Sequence, residues 1–148
     1  MNTEKEFNEC VKNNRLKKEV IDQEMIAKEL FRADKDLNAA CQSLEENNFE
    51  WAAIQAYYAC FHAAKSLVLK KGFREKSHFR LATALDHLYV ETGELPEKFK
   101  GILQSLRTIR EAANYSLEQI TKDDAKHALS RAVQLTQQAK KHVKTTTP

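Results

Sequence analysis

From Trp51 to Leu69 the chain carries one Lys, Arg, Asp or Glu residue, Lys65. The stretch "WAAIQAYYACFHAAKSLVL" places apolar side chains around most of a helical circumference. It therefore predicts a helix enclosed by other helices rather than one resting on a surface. A membrane span is a poor alternative, because Gln55, His62, Lys65 and Ser66 interrupt the run and Tyr57 and Tyr58 bring hydroxyls. Only 3 Gly and 2 Pro occur in 148 residues, all near apparent helix ends. A sheet with its many turns would need more of both. The expectation is one all-α domain, an antiparallel up-and-down bundle of four to five helices around this central segment.

The flanking periodicities supply the other helices. Leu16, Val20, Ile26, Leu30, Ala33, Leu37, Cys41 and Leu44 recur at steps of mostly three and four, predicting a helix over about residues 16–46. Asn47, with Glu50 three residues on, reads as the cap of the central helix, and Lys70, Lys71 and Gly72 as its stop. Ser77 is a cap for a third helix ending at Gly93. Pro96 suits the first turn of a fourth, and Thr121 with Asp124 begins a fifth that runs to about Val143. Residues 1–15 form an N-terminal extension with a short helix around Phe7 and Val11, residues 16–143 the bundle, and 144–148 a frayed tail.

Charge narrows the function classes only mildly. A net charge of +3 with 30% charged residues suits a soluble bundle, and permits an acidic or nucleic-acid partner without requiring one. Cys10, Cys41 and Cys60 are odd in number and lack CxxC spacing, so they read as buried small hydrophobes, not disulfides or zinc ligands. No metal and no cofactor is expected. The N-terminus "MNTEKEFNEC" is charged and has no apolar leader, which predicts a cytoplasmic protein.

Three features exceed a generic bundle. Gln55, His62 and Ser66 share one face of the central helix, flanked by Tyr58 and Lys65; such groups must meet a groove, a partner or water, or be satisfied internally. The stretch "LKKGFREKSH" with Lys65 and Arg80 concentrates cations around Phe73 and His78. That pattern suits a phosphate backbone, or simply a solvated surface. Finally "RTIREAANYS" sets Arg107, Arg110 and Asn114 within helical-neighbour distance. Tyr115 follows Arg110 by five residues, about 140° round an ideal helix, so the two converge only at a distorted helix end or across two copies of the chain. The alternative is an ordinary helix end with Arg110 paired to a nearby acid and Tyr115 packed with a wet hydroxyl.

Taken together, Tyr57, Tyr58 and Ala59, then Phe61, His62 and Ala63, then Gly72, Ser77 and His78, and last Arg110 and Tyr115, resemble the small stand-alone HEPN-domain proteins of bacteria and archaea. The resemblance spans about residues 27–143. It implies a helical bundle, often a homodimer, and a role with RNA or nucleotides beside a nucleotidyltransferase partner in toxin–antitoxin-like pairs. Active members are metal-independent endoribonucleases whose motif is Arg, four to six residues, then His, at a cleft between protomers.

This chain departs from that motif. Four to six intervening residues after Arg110 reach Tyr115, Ser116 and Leu117, and the same window after Arg107 ends at Asn114. A histidine with a pKa of about 6.5 is largely a free base at pH 7, whereas a tyrosine at about 10 offers roughly one part in a thousand as phenolate. Tyr115 is thus a weak general base for a ribose hydroxyl, while Arg110 keeps its capacity for bidentate phosphate contact. The leading expectation is a HEPN protein, catalytically weak or inactive, that binds RNA or nucleotide phosphate through Arg110 with Arg107, Asn114, Tyr115, Tyr58, His62, Lys65 and His78 nearby. The alternatives are an endoribonuclease toxin that uses His62 or His78 as its base, and a purely structural interaction bundle. Tyr115 is also a candidate acceptor for modification by a nucleotidyltransferase.

Overall fold

The computed structural model describes residues 3–13, 16–18, 22–75, 77–115 and 120–144, with residues 16–18, 78, 79 and 115 described as backbone only. It is an all-α bundle, as the sequence predicts, with one small ribbon added. Helix α1 (Thr3–Lys12) leads into strand β1 (Leu16–Lys18), and α2 (Gln23–Glu45) and α3 (Phe49–Lys70) follow. Strand β2 (Phe73–Glu75) pairs antiparallel with β1, Leu16 opposite Glu75. Then come α4 (His78–Leu85), a π-helical turn (Asp86–Val90), a 3-10 turn (Glu97–Phe99), α5 (Ile102–Tyr115) and α6 (Lys122–Lys144).

Helix α3 is the axis of the molecule, packed along α2 and α6 and over a shorter stretch against α5. Alanine is the commonest of its inward residues: Ala52, Ala53, Ala56, Ala59, Ala63 and Ala64 are wholly buried. Small side chains let the neighbouring helices approach closely, and the larger volume comes from Leu67, Leu81, Leu85, Tyr89, Phe99, Leu106 and Leu135 around them. The Tyr89 hydroxyl is satisfied in this core by donating to the Leu67 carbonyl at 2.5 Å.

Several boundaries differ from the sequence reading, each for a local reason. Helix α2 begins at Gln23 rather than near Leu16, because Asp22 in an extended conformation caps it by accepting from the Glu24 N–H at 2.9 Å. Leu16 lies in the ribbon instead. Asn47 is not the cap of α3; at φ 60 it takes the left-handed conformation that ends α2, and Asn48 precedes α3. The third helix stops being α-helical at Leu85, and Pro96 opens only a 3-10 turn. Gly101, at φ 70, separates that turn from α5, its N–H donating to the Asp86 carboxylate at 3.2 Å. At α6 the Thr121–Asp124 box forms reciprocally, at 3.0 and 3.1 Å. Lys144, the first residue of the expected tail, still belongs to α6, and residues 145–148 lie outside the described residues.

Candidate functional site

The partly exposed edge of α3 runs through Trp51, Gln55, Tyr58, His62 and Lys65, at the steps of four, three, four and three that mark one helical stripe. Helix α5 brings Arg110 to this stripe. Its guanidinium lies 4.8 Å from the Tyr57 ring centre and 5.7 Å from that of Tyr58, and it donates to the Tyr58 hydroxyl at 3.1 Å. Cation–π contact and one hydrogen bond thus fix the plane of the arginine. No carboxylate among the described residues pairs with it, and its buried Nε has no acceptor there.

One turn further along α3, His62 belongs to a charged network with α2. Its Nδ1 is 2.6 Å from Glu29 Oε2 and its Nε2 is 3.7 Å from Asp36. Glu29, although only 6% exposed, also meets Arg32 at 3.2 Å and Lys65 at 3.6 Å. Lys65 reaches Glu75 of β2 at 3.2 Å, so the ribbon is tied to the bundle through this network. Burial alone raises the Glu29 carboxyl. The hydrogen bond from His62 and the charges of Lys65, His62 and Arg32 more than reverse this, holding it below the usual carboxylate range. Asp36 goes the other way: burial keeps its carboxyl above its ordinary value against the pull of His62 and Lys35.

The remaining predicted residues divide. Arg107 forms an i,i+4 pair with Glu111 at 3.2 Å, the surface pairing the sequence had suggested for Arg110. Asn114 is exposed near the end of α5. Tyr115 closes α5 with helical backbone, so the offset of about 140° from Arg110 is not relieved by a break in the helix before it. The side chains of Tyr115 and His78 lie outside the described residues. Ser66 does not join the stripe: it is buried and donates to the Ala63 carbonyl at 2.6 Å. Gln55 is held by the Ser43 hydroxyl at 2.7 Å.

The basic stretch after α3 is also divided by the fold. Lys70 turns to the His142 carbonyl and Lys71 to Glu94 at 2.7 Å, leaving Arg74 on the side of Lys65. Cys41 is exposed, contrary to the expectation of three buried thiols, whereas Cys10 and Cys60 are buried. Among the described residues no cluster of His, Cys, Asp and Glu could hold a metal, and no helix is long and apolar enough to cross a membrane. A larger cavity of about 470 Å³, with Glu6, Arg80, Thr83, Asp86 and Gln104 in its wall, lies between α1, α4 and the start of α5, apart from the Arg110 stack.

Sequence reasoning missed Glu29 and Asp36, and it named Tyr57 in the family resemblance without giving it a site role. A signal existed for the first two. They stand seven residues apart on α2, within the apolar stripe of Ile26, Leu30, Ala33 and Leu37, where a carboxylate needs a partner.

A central helix sheathed by three others, with an arginine held on its tyrosine pair, defines the molecule as an all-α bundle with one organised cation at its edge. The HEPN domain model matches residues 27–142, and the chain belongs to that family. It is 29% identical over 112 residues to "Putative toxin MJ0605" of Methanocaldococcus jannaschii, covering 76% of this chain and 84% of that protein. It is 23% identical over 119 residues to "Putative toxin MJ0142" of the same archaeon, covering 80% and 81% respectively.

Proposed function

We propose that this HEPN protein binds RNA or nucleotide phosphate through Arg110 and is catalytically weak or inactive. In this reading it acts with a nucleotidyltransferase partner in a toxin–antitoxin-like pair, as a homodimer. One observation carries the binding role. Arg110 is oriented by Tyr57 and Tyr58 yet has no carboxylate partner among the described residues, a state that suits an arginine awaiting an anion. The toxin setting draws on the names of the two archaeal relatives. Calorimetric titration with single-stranded RNA and with ribonucleotides tests it. Binding in the parent protein that disappears in Arg110→Ala supports the reading; absence of binding, or equal binding in Arg110→Ala, rejects it.

A second reading, a metal-independent endoribonuclease, is favoured by His62. The imidazole stands one turn from the tyrosine that holds Arg110, and its Nδ1 is braced by Glu29 as a base is braced by an orienting carboxylate. It predicts RNA cleavage in EDTA that is lost in both Arg110→Ala and His62→Ala. Intact RNA at high protein concentration eliminates it.

A further inference from the structure

We propose that a single-stranded RNA bound at Arg110 continues along the α2–α3 face to a second subsite. There Lys28, Arg32, Lys65 and Arg74 hold a backbone phosphate and Phe31 stacks a base. The inference rests on the reading of Arg110 as a phosphate contact and extends it to Lys28, Phe31, Arg32 and Arg74, which that reading does not use.

The first observation is a cavity of about 350 Å³ between α2, α3 and β2, lined by those four cations with Glu29 among them. Arg32 and Lys65 share Glu29, and Lys65 also meets Glu75. Lys28, Arg32 and Lys65 outnumber the carboxylates of Glu29 and Glu75, so positive charge is in excess among these residues even with Arg74 left out of the count. An anion entering the pocket meets ammonium and guanidinium donors on several sides.

The second observation is Phe31, 68% exposed on the outer face of α2. It follows Lys28 by three residues and precedes Asp34 by three and Lys35 by four; Asp34 is paired with Lys140 at 2.7 Å, and a lysine stands on either side of the ring along the helix. A docking face for a protein would continue with other large apolar side chains. Here the exposed neighbours are Glu24, Ala27, Lys28, Lys35 and Asn38. An isolated aromatic ring beside a cationic pocket is the arrangement with which proteins take single strands, because any base offers a π face.

The two subsites are in register. Lys65 stands seven residues beyond Tyr58, two helical turns, on the same face and about 10 Å further along α3. His62 lies between them. A short stretch of extended strand thus meets Arg110, then His62, then the Lys28–Arg74 pocket.

Fluorescence anisotropy of a labelled 12-nucleotide oligouridine, titrated with the full chain at several salt concentrations, tests this. The comparison set is the parent, Phe31→Ala, the double variant Lys28→Gln/Arg74→Gln, and Arg110→Gln. Phe31→Ala is expected to weaken binding about tenfold, on the order of 1.4 kcal/mol. The double variant is expected to reduce the slope of log affinity against log salt by roughly 1.4, about 0.7 for each lost contact. Unchanged affinity in Phe31→Ala, or an unchanged slope in the double variant, overturns the subsite even if Arg110→Gln weakens binding and the Arg110 reading stands. If the parent does not bind, both readings fall. If Phe31→Ala alters sedimentation but not RNA affinity, Phe31 is a protein contact and the subsite is again overturned.

Discussion

Replacing Glu29 by glutamine keeps the shape of the side chain and an oxygen for His62, but removes the charge that organises three neighbours, His62, Lys65 and Arg32. Removing one member of a buried ion pair commonly costs about 3–5 kcal/mol, because the other charge is stranded. Here none is stranded: Lys65 keeps Glu75 at 3.2 Å, His62 keeps Asp36 at 3.7 Å, and the Arg32 side chain is 45% exposed. The expected loss for Glu29→Gln is therefore smaller, about 1–2 kcal/mol at pH 7, mainly one charge-assisted hydrogen bond. The pH dependence follows from the lowered Glu29 carboxyl. Near its ordinary value of 4.5 the native state binds fewer protons than the unfolded chain, so this group's stabilisation is present above 4.5 and lost as pH falls through its folded value. Asp36 has the opposite slope, but it is present in both proteins and cancels to first order in the difference. Urea unfolding of parent and Glu29→Gln at pH 7 and at stepwise lower pH measures this directly. The gap should narrow on acidification below 4.5. A variant as stable as the parent at pH 7, or a gap that does not change with pH, refutes the charge-based account.

Three further outcomes follow from the core, a helix end and the thiols. Tyr89→Phe should cost about 1 kcal/mol in urea unfolding, because it removes the buried bond to the Leu67 carbonyl while leaving no cavity. Thr121→Ala should cost about 1 kcal/mol by removing the hydroxyl that accepts from the Asp124 N–H in the cap of α6, with a loss of helical circular dichroism confined to the earliest part of a thermal melt. In the native protein a thiol reagent should titrate Cys41 alone, and all three cysteines in denaturant, because Cys10 and Cys60 are buried and burial pushes the Cys60 thiol far up. Rapid reaction of a second thiol without denaturant would contradict the packing.

The fold was legible where periodicity was strong. The largely apolar character of 51–69, with a single charged residue, called for a sheathed helix, and α3 is one. The stop at Gly72, with φ 88, and the Thr121 box were readable from residue type alone. The boundary at Gln23 was not, since Leu16 continued the same apolar step while its backbone pairs with β2, a contact remote in sequence. At the site, Arg110, Tyr58, His62 and Lys65 were named in advance, and three of them fall on one edge of α3. Their partners were not legible: a helix-period argument ranks faces of one helix and says nothing of which face of α2 lies opposite. For the same reason the surface pairing expected of Arg110 belongs to Arg107.

The alanine lining of α3 bears on recognition as well as packing. Alanine has no rotamers to choose among, so where Ala52 to Ala64 line α3 its approach to the neighbouring helices leaves few side-chain torsions to settle. Tyr58 and His62 therefore project from a rail whose position is fixed before any ligand arrives, and each has only two side-chain torsions to settle. Less ordering is left for the moment of association, and a larger share of each new contact appears as affinity.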